Sequence, residues 1–141
     1  MRASRKTTQR QDWGIAVLRV VTGYLFLASG AHKLFIEDLG YLVSLLPVSI
    51  IVVLSLGELL CGAALLVGLL TRWVSIPLAF LMLADILVVH PPDEFLIQDH
   101  GYEYASLRLA ASVALALTGS GKLALDNILA IGRGPSSNLR R

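Results

Sequence analysis

The sequence predicts an all-α integral membrane protein, a four-helix bundle with both ends on the cytoplasmic side, and three observations lead there. The 141 residues are 55% hydrophobic and only 16% charged, whereas an average soluble domain is roughly 45–50% apolar and about 25% charged. Four apolar stretches, about residues 14–33, 47–70, 73–90 and 104–119, match or approach the ~20 residues that cross a bilayer. The charges between the stretches sort by side, as charges flanking membrane spans do.

The first thirteen residues are a basic tail, with Arg2, Arg5, Lys6 and Arg10 ahead of Asp12 and Trp13. This composition predicts disorder ending at an interfacial tryptophan anchor. The stretch 14–33 carries Arg19. Its basic leader and the small residues Ala28, Ser29 and Gly30 resemble a signal peptide. Its length, Arg19 and the further spans favour a retained anchor instead.

Residues 35–46 join spans one and two. Leu39, Leu42, Val43 and Leu46 recur there at helical spacing, which predicts a short helix on the membrane surface. Leu70-Thr71-Arg72-Trp73 is a tight link, so spans two and three form an antiparallel hairpin. Pro91-Pro92 opens a polar loop that runs to Glu103. Residues 127–141 are a cytoplasmic tail, Gly-, Ser-, Pro- and Arg-rich near the end and predicted disordered. Residues 14–126 therefore form one four-span domain between two tails.

The face holding both tails and the 70–73 link has nine basic residues: Arg2, Arg5, Lys6, Arg10, Arg72, Lys122, Arg133, Arg140 and Arg141. It has two acids, Asp12 and Asp126. The opposite face has Lys33 against Glu37, Asp38, Asp93, Glu94, Asp99 and Glu103. Lysine and arginine stay cytoplasmic, so the expected location is a bacterial inner membrane with both termini inside.

The spans contain Arg19, Glu58, Asp85 and Arg108. At 1.5 Å per residue, Glu58 and Asp85 lie about 18 Å above the inner end and Arg108 about 16 Å, while Arg19 lies only about 8–9 Å in. Ionisable groups at such depth are expensive and mark function by default. Each span also has a close-packing stripe: Arg19, Gly23, Phe26, Gly30 and Lys33 in the first, and Gly57, Cys61, Ala64 and Gly68 beside Glu58 in the second. Span four has Ala105, Arg108, Ser112, Leu115, Gly119 and Lys122. Charges should therefore face the interior, with Arg108 balancing Glu58 or Asp85. Glu58, Asp85, Arg108, Arg19 and Lys33 are the candidate polar site. An ion network that only fixes helix register is the competing reading.

Other signals carry less. Cys61 is alone and apolar-flanked, so no dithiol chemistry or thiolate metal site follows. His90 and His100, with Asp93, Asp99 and Glu103, are weak metal or proton-relay candidates without tight ligand spacing. His32 beside Lys33 is equally ambiguous. Gly119-Ser-Gly-Lys122 is not a phosphate loop, because Leu123 stands where Ser or Thr is needed. Few aromatics and no folded basic surface argue against nucleic acid.

Several segments, taken in order, resemble the DoxX family of small bacterial membrane proteins. They are Arg19-Val-Val-Thr-Gly23-Tyr-Leu-Phe26 with Gly30-Ala-His-Lys33, Gly57-Glu58, and Gly68-Leu-Leu-Thr-Arg72. His90-Pro91, Gly101-Tyr-Glu103-Tyr, Leu107-Arg108-Leu and Gly119-Ser-Gly121-Lys-Leu-Ala-Leu-Asp126 follow. Ala124 stands where the family pattern has Ser. The resemblance covers residues 14–126. It implies a four-helix membrane fold and an association with quinone-linked or thiol-linked redox assemblies, with no agreed catalytic residues. The chain has no thiol pair, haem ligand pair or flavin motif, so electron transfer would need a bound quinone or a redox partner. Alternatives are a small proton-linked transporter, which would need a homo-oligomer, and a purely structural membrane protein.

Overall fold

The protein is described from a computed structural model, which covers residues 2–35, 40–88, 102–121 and 124–125. Among them the regular structure is all helical: α1 (Arg2–Phe35), α2 (Gly40–Leu45), α3 (Val48–Val67), α4 (Thr71–Val88) and α5 (Glu103–Thr118). Three segments are long and apolar enough to cross a membrane: Arg10–Phe35, Val48–Val67 and Thr71–Val88. The fourth expected stretch is helical as α5, but its 16 residues rise about 24 Å, less than the ~30 Å of hydrocarbon.

The basic N-terminal segment departs from expectation. Its backbone continues α1 back to Arg2 rather than being disordered. Nothing between Arg2 and Phe35 breaks a helix, for the first proline is Pro47, and an established helix propagates readily past its costly nucleus.

One periodicity governs the buried faces. Arg19, Gly23, Phe26 and Gly30 are buried on α1. The other buried stripes are Ile51, Ser55, Glu58, Gly62 and Leu65 on α3, Thr71, Ser75, Leu78 and Met82 on α4, and Ala105, Arg108, Ser112 and Leu115 on α5. Steps of three and four alternate, the 3.5-residue repeat of helices crossing at about 20°. Phe26, Leu65, Leu78, Met82 and Leu115 form the apolar core. Val20, Val53, Leu60, Phe80, Leu87, Leu107 and Leu117 point outward. Charge inside and large apolar side chains outside suit lipid as the surrounding solvent.

The tightest seam joins α1 and α3, which run antiparallel. A Cβ on Gly23 would lie 2.9 Å from the carbonyl oxygen of Gly62, and one on Gly30 would lie 2.6 Å from that of Ser55. The α3 stripe differs from the expected one. Gly62, not Gly57, meets α1, and Gly57 faces open space. The other well-packed pair is α4 with α5, while α3 and α4 touch sparsely despite their short link.

That link is a Schellman turn. Gly68 is left-handed (φ 75°), its N–H donates to the Leu65 carbonyl at 3.1 Å, and the Leu69 N–H donates to that of Ala64 at 2.9 Å. Pro77 sits inside α4 and removes the hydrogen bond otherwise made to the Trp73 carbonyl. Exposed Trp13 and Trp73 flank this end of the molecule as interfacial aromatics do.

Candidate functional site

The α3 repeat places Glu58 on the face turned toward α1, and Lys33 lies in the last turn of α1. The Lys33 ammonium donates to Glu58 Oε1 at 2.9 Å. The Glu58 side chain is 2% exposed and that of Lys33 is 23% exposed. The second carboxylate oxygen, Oε2, is buried without a hydrogen-bond partner among the described residues. A carboxylate oxygen so placed is a strong unmet acceptor.

The ion pair borders a cavity of about 180 Å³ between the end of α1 and the facing parts of α3 and α4. Its polar wall is Lys33, Ser55, Glu58 and Asp85. The rest is aliphatic, including Ile50, Ile51, Leu54 and Leu81. Ser55 precedes Glu58 by three residues and so shares its helix face. An apolar cavity of about 150 Å³ holds a benzene-sized ring, so this one suits a single ring with polar groups at one edge.

Arg108 is buried, and its hydrogen bonds reach α1. Its guanidinium donates to Ser29 Oγ at 3.3 Å and to the Leu25 carbonyl at 3.2 Å. It lies over Phe26, 4.1 Å from the ring centroid, and 5.3 Å from that of Tyr104. Glu58 and Asp85 are within Coulombic reach of it, yet the acid's contact partner is Lys33. Equal depth placed Arg108 beside the acids in the sequence, but azimuth around the helices decides contact.

Arg19 belongs elsewhere. It lies fourteen residues, or about 21 Å, below Lys33 along α1. Its guanidinium donates to the Ser120 carbonyl at 3.3 Å and fills the space above Gly68. It therefore caps the C-terminal ends of α3 and α5, where a cation meets the negative end of the helix dipole. Of the five predicted site residues, Lys33, Glu58 and Asp85 line the cavity, whereas Arg108 and Arg19 do not. Ser29, Ser55 and Tyr104 were missed. The first two follow from i, i+4 and i, i+3 spacing to Lys33 and Glu58.

His90 and His100 lie outside the described residues. Among the described residues no group of three or more His, Cys, Asp or Glu side chains is arranged to hold a metal.

Apolar helices around an interior of charges define a helical membrane protein with an ionisable site between its helices. The chain belongs to the DoxX family, whose model matches residues 14–91. It is 33% identical over 121 residues to "Putative oxidoreductase CatD" of Bacillus subtilis (strain 168), covering 80% of this chain and 84% of that protein. No solved structure matches it.

Proposed function

We propose that the chain is a four-span inner-membrane protein, with both termini cytoplasmic, that serves as the membrane subunit of a redox assembly and holds a quinone headgroup. In this reading α5 is the fourth span. The +7 against −5 distribution of charges read from the sequence supports the orientation.

One observation carries the quinone reading: a buried acid with an unpartnered oxygen, paired to Lys33, at the edge of a ring-sized aliphatic cavity. The Lys33 ammonium would donate to one quinone carbonyl, and Glu58 would hold or release the proton that accompanies reduction. The aliphatic walls would contact the ring. Electrons would come from a redox protein partner. The oxidoreductase name of the B. subtilis relative supports this class of function.

The test is quinone extracted from protein purified out of native membranes in mild detergent. About one quinone per chain is expected, lost in Glu58→Gln with Asp85→Asn while thermal unfolding is retained. Quinone-free protein that fails to bind added quinone ends the proposal.

The unpartnered Glu58 oxygen also favours a second reading, a proton-linked carrier. It predicts substrate flux in proteoliposomes that disappears in Glu58→Gln.

A further inference from the structure

A second hollow, of about 370 Å³, lies between α1 and α5. Its wall is Leu25, Ala28, Ser29, His32 and Lys33 from α1 and Tyr104 from α5. The polar groups gather toward one end. His32 and Lys33 stand in the last turn of α1, and Leu25 lies eight residues, about 12 Å, deeper along the helix.

Behind this wall sits Arg108. It is 5% exposed, and among the described residues it touches no carboxylate. Two of its hydrogen bonds end on wall residues, Ser29 and Leu25, and its Nε has no hydrogen-bond partner among the described residues. Glu58 and Asp85 act on it at Coulombic range, but a buried cation without an anion in contact is unfavourable, so an anion in the groove would add a charge partner on its open side.

We propose that the α1–α5 groove binds an anionic phospholipid. The phosphate sits among Lys33, His32 and the Tyr104 hydroxyl, near the positive charge of Arg108. One acyl chain runs inward over Ala28 and Leu25. The shape argues for a lipid over a free phosphate, because a small anion would fill only the polar end and leave the apolar end empty. The outer end of α1 is also where headgroups meet this chain, since Trp13 and Lys33 are twenty residues, or about 30 Å, apart. The inference is independent of the quinone reading, although Lys33 borders both spaces.

The experiment is native mass spectrometry of the full chain, purified in detergent and stripped of lipid. It is titrated separately with phosphatidylglycerol, phosphatidylcholine and inorganic phosphate. One phosphatidylglycerol per chain is expected, preferred about tenfold over phosphatidylcholine, whose choline cation faces Lys33. That ratio corresponds to one charge-assisted hydrogen bond. The double variant His32→Gln/Tyr104→Phe keeps the ring over Arg108 and should lower phosphatidylglycerol affinity about tenfold at unchanged helix content. Asp85→Asn, in the other cavity, should keep the lipid while losing quinone, so the two proposals fail separately.

Equal retention of the two lipids overturns the proposal, as does a double variant that binds like the parent. Lipid loss in Asp85→Asn would overturn the separateness of the groove. Tight binding of inorganic phosphate alone would make this a free-anion site and likewise overturn it.

Discussion

Two glycines on one helix give a controlled test of how α1 and α3 are held. A Cβ placed on Gly62 lies 2.5 Å from the Leu27 amide nitrogen and 2.8 Å from the Gly23 carbonyl oxygen. Ordinary contact begins near 3.4 Å, so α1 and α3 must part by about 0.9 Å, because the opposing atoms are backbone and cannot swing aside. Gly57 lies five residues away on the same helix, and its Cβ would meet nothing within 4 Å. Glycine to alanine in a helix interior gains roughly 0.5–1 kcal/mol in backbone entropy at either site. Overpacking costs typically 1–3 kcal/mol. Gly57→Ala should therefore stabilise by about 0.5–1 kcal/mol. Gly62→Ala should fall about 1–3 kcal/mol below it, a difference in which the propensity term cancels. The assay is dodecyl sulfate titration of both variants in mixed micelles, followed by far-ultraviolet circular dichroism. Equal stabilities would refute close backbone approach as the basis of the α1–α3 seam.

Three further outcomes are expected. Lys33→Met strands the buried Glu58 carboxylate and should cost about 3 kcal/mol, whereas Lys33→Met/Glu58→Leu should return near the parent stability; the same titration reads both, and a double variant as weak as the single contradicts the pairing. Arg19→Ala removes the shared cap of α3 and α5 and should lower stability by about 1–2 kcal/mol with quinone binding intact, Arg19→Lys recovering part of it; loss of quinone instead would return Arg19 to the site. In a Cys61→Ala background, Arg72→Cys should react with an impermeant maleimide only in inside-out vesicles and Gln98→Cys only in right-side-out ones; the reverse pattern inverts the proposed topology.

The spans were legible because lipid imposes length and composition. The expected stretches 47–70 and 73–90 became Val48–Val67 and Thr71–Val88, shifted by at most three residues. The faces of α1 and α5 were legible too, since Arg19, Gly23, Phe26 and Gly30, and Ala105, Arg108, Ser112 and Leu115, are all buried. On α3 two stripes compete. Gly57, Cys61, Ala64 and Gly68 are richer in small residues, but Ser55, Glu58, Gly62 and Leu65 are buried. Small size permits close approach without choosing a partner, and the choice belongs to Gly23 and Gly30 across the seam. The Lys33–Glu58 pair was obscured because a lysine at a helix end is expected to reach toward the membrane surface. Here its ammonium meets a buried acid instead. The helical N-terminal tail had no sequence signal, because polar basic residues are compatible with either state.

The uneven contacts among the helices have a mechanical consequence. Helix α1 is locked to α3 by backbone against backbone, α4 is matched to α5, and the two couples are joined on one side by the Gly68 turn and a thin α3–α4 boundary and on the other by the Arg108 hydrogen bonds from α5 to α1. The cavity with Glu58 and Asp85 lies along that boundary. That boundary can widen while each couple's own packing stays intact, because the Arg108 bonds hold the couples together on their far side. A disulfide across α3 and α4 would hold that boundary shut without altering a single wall residue.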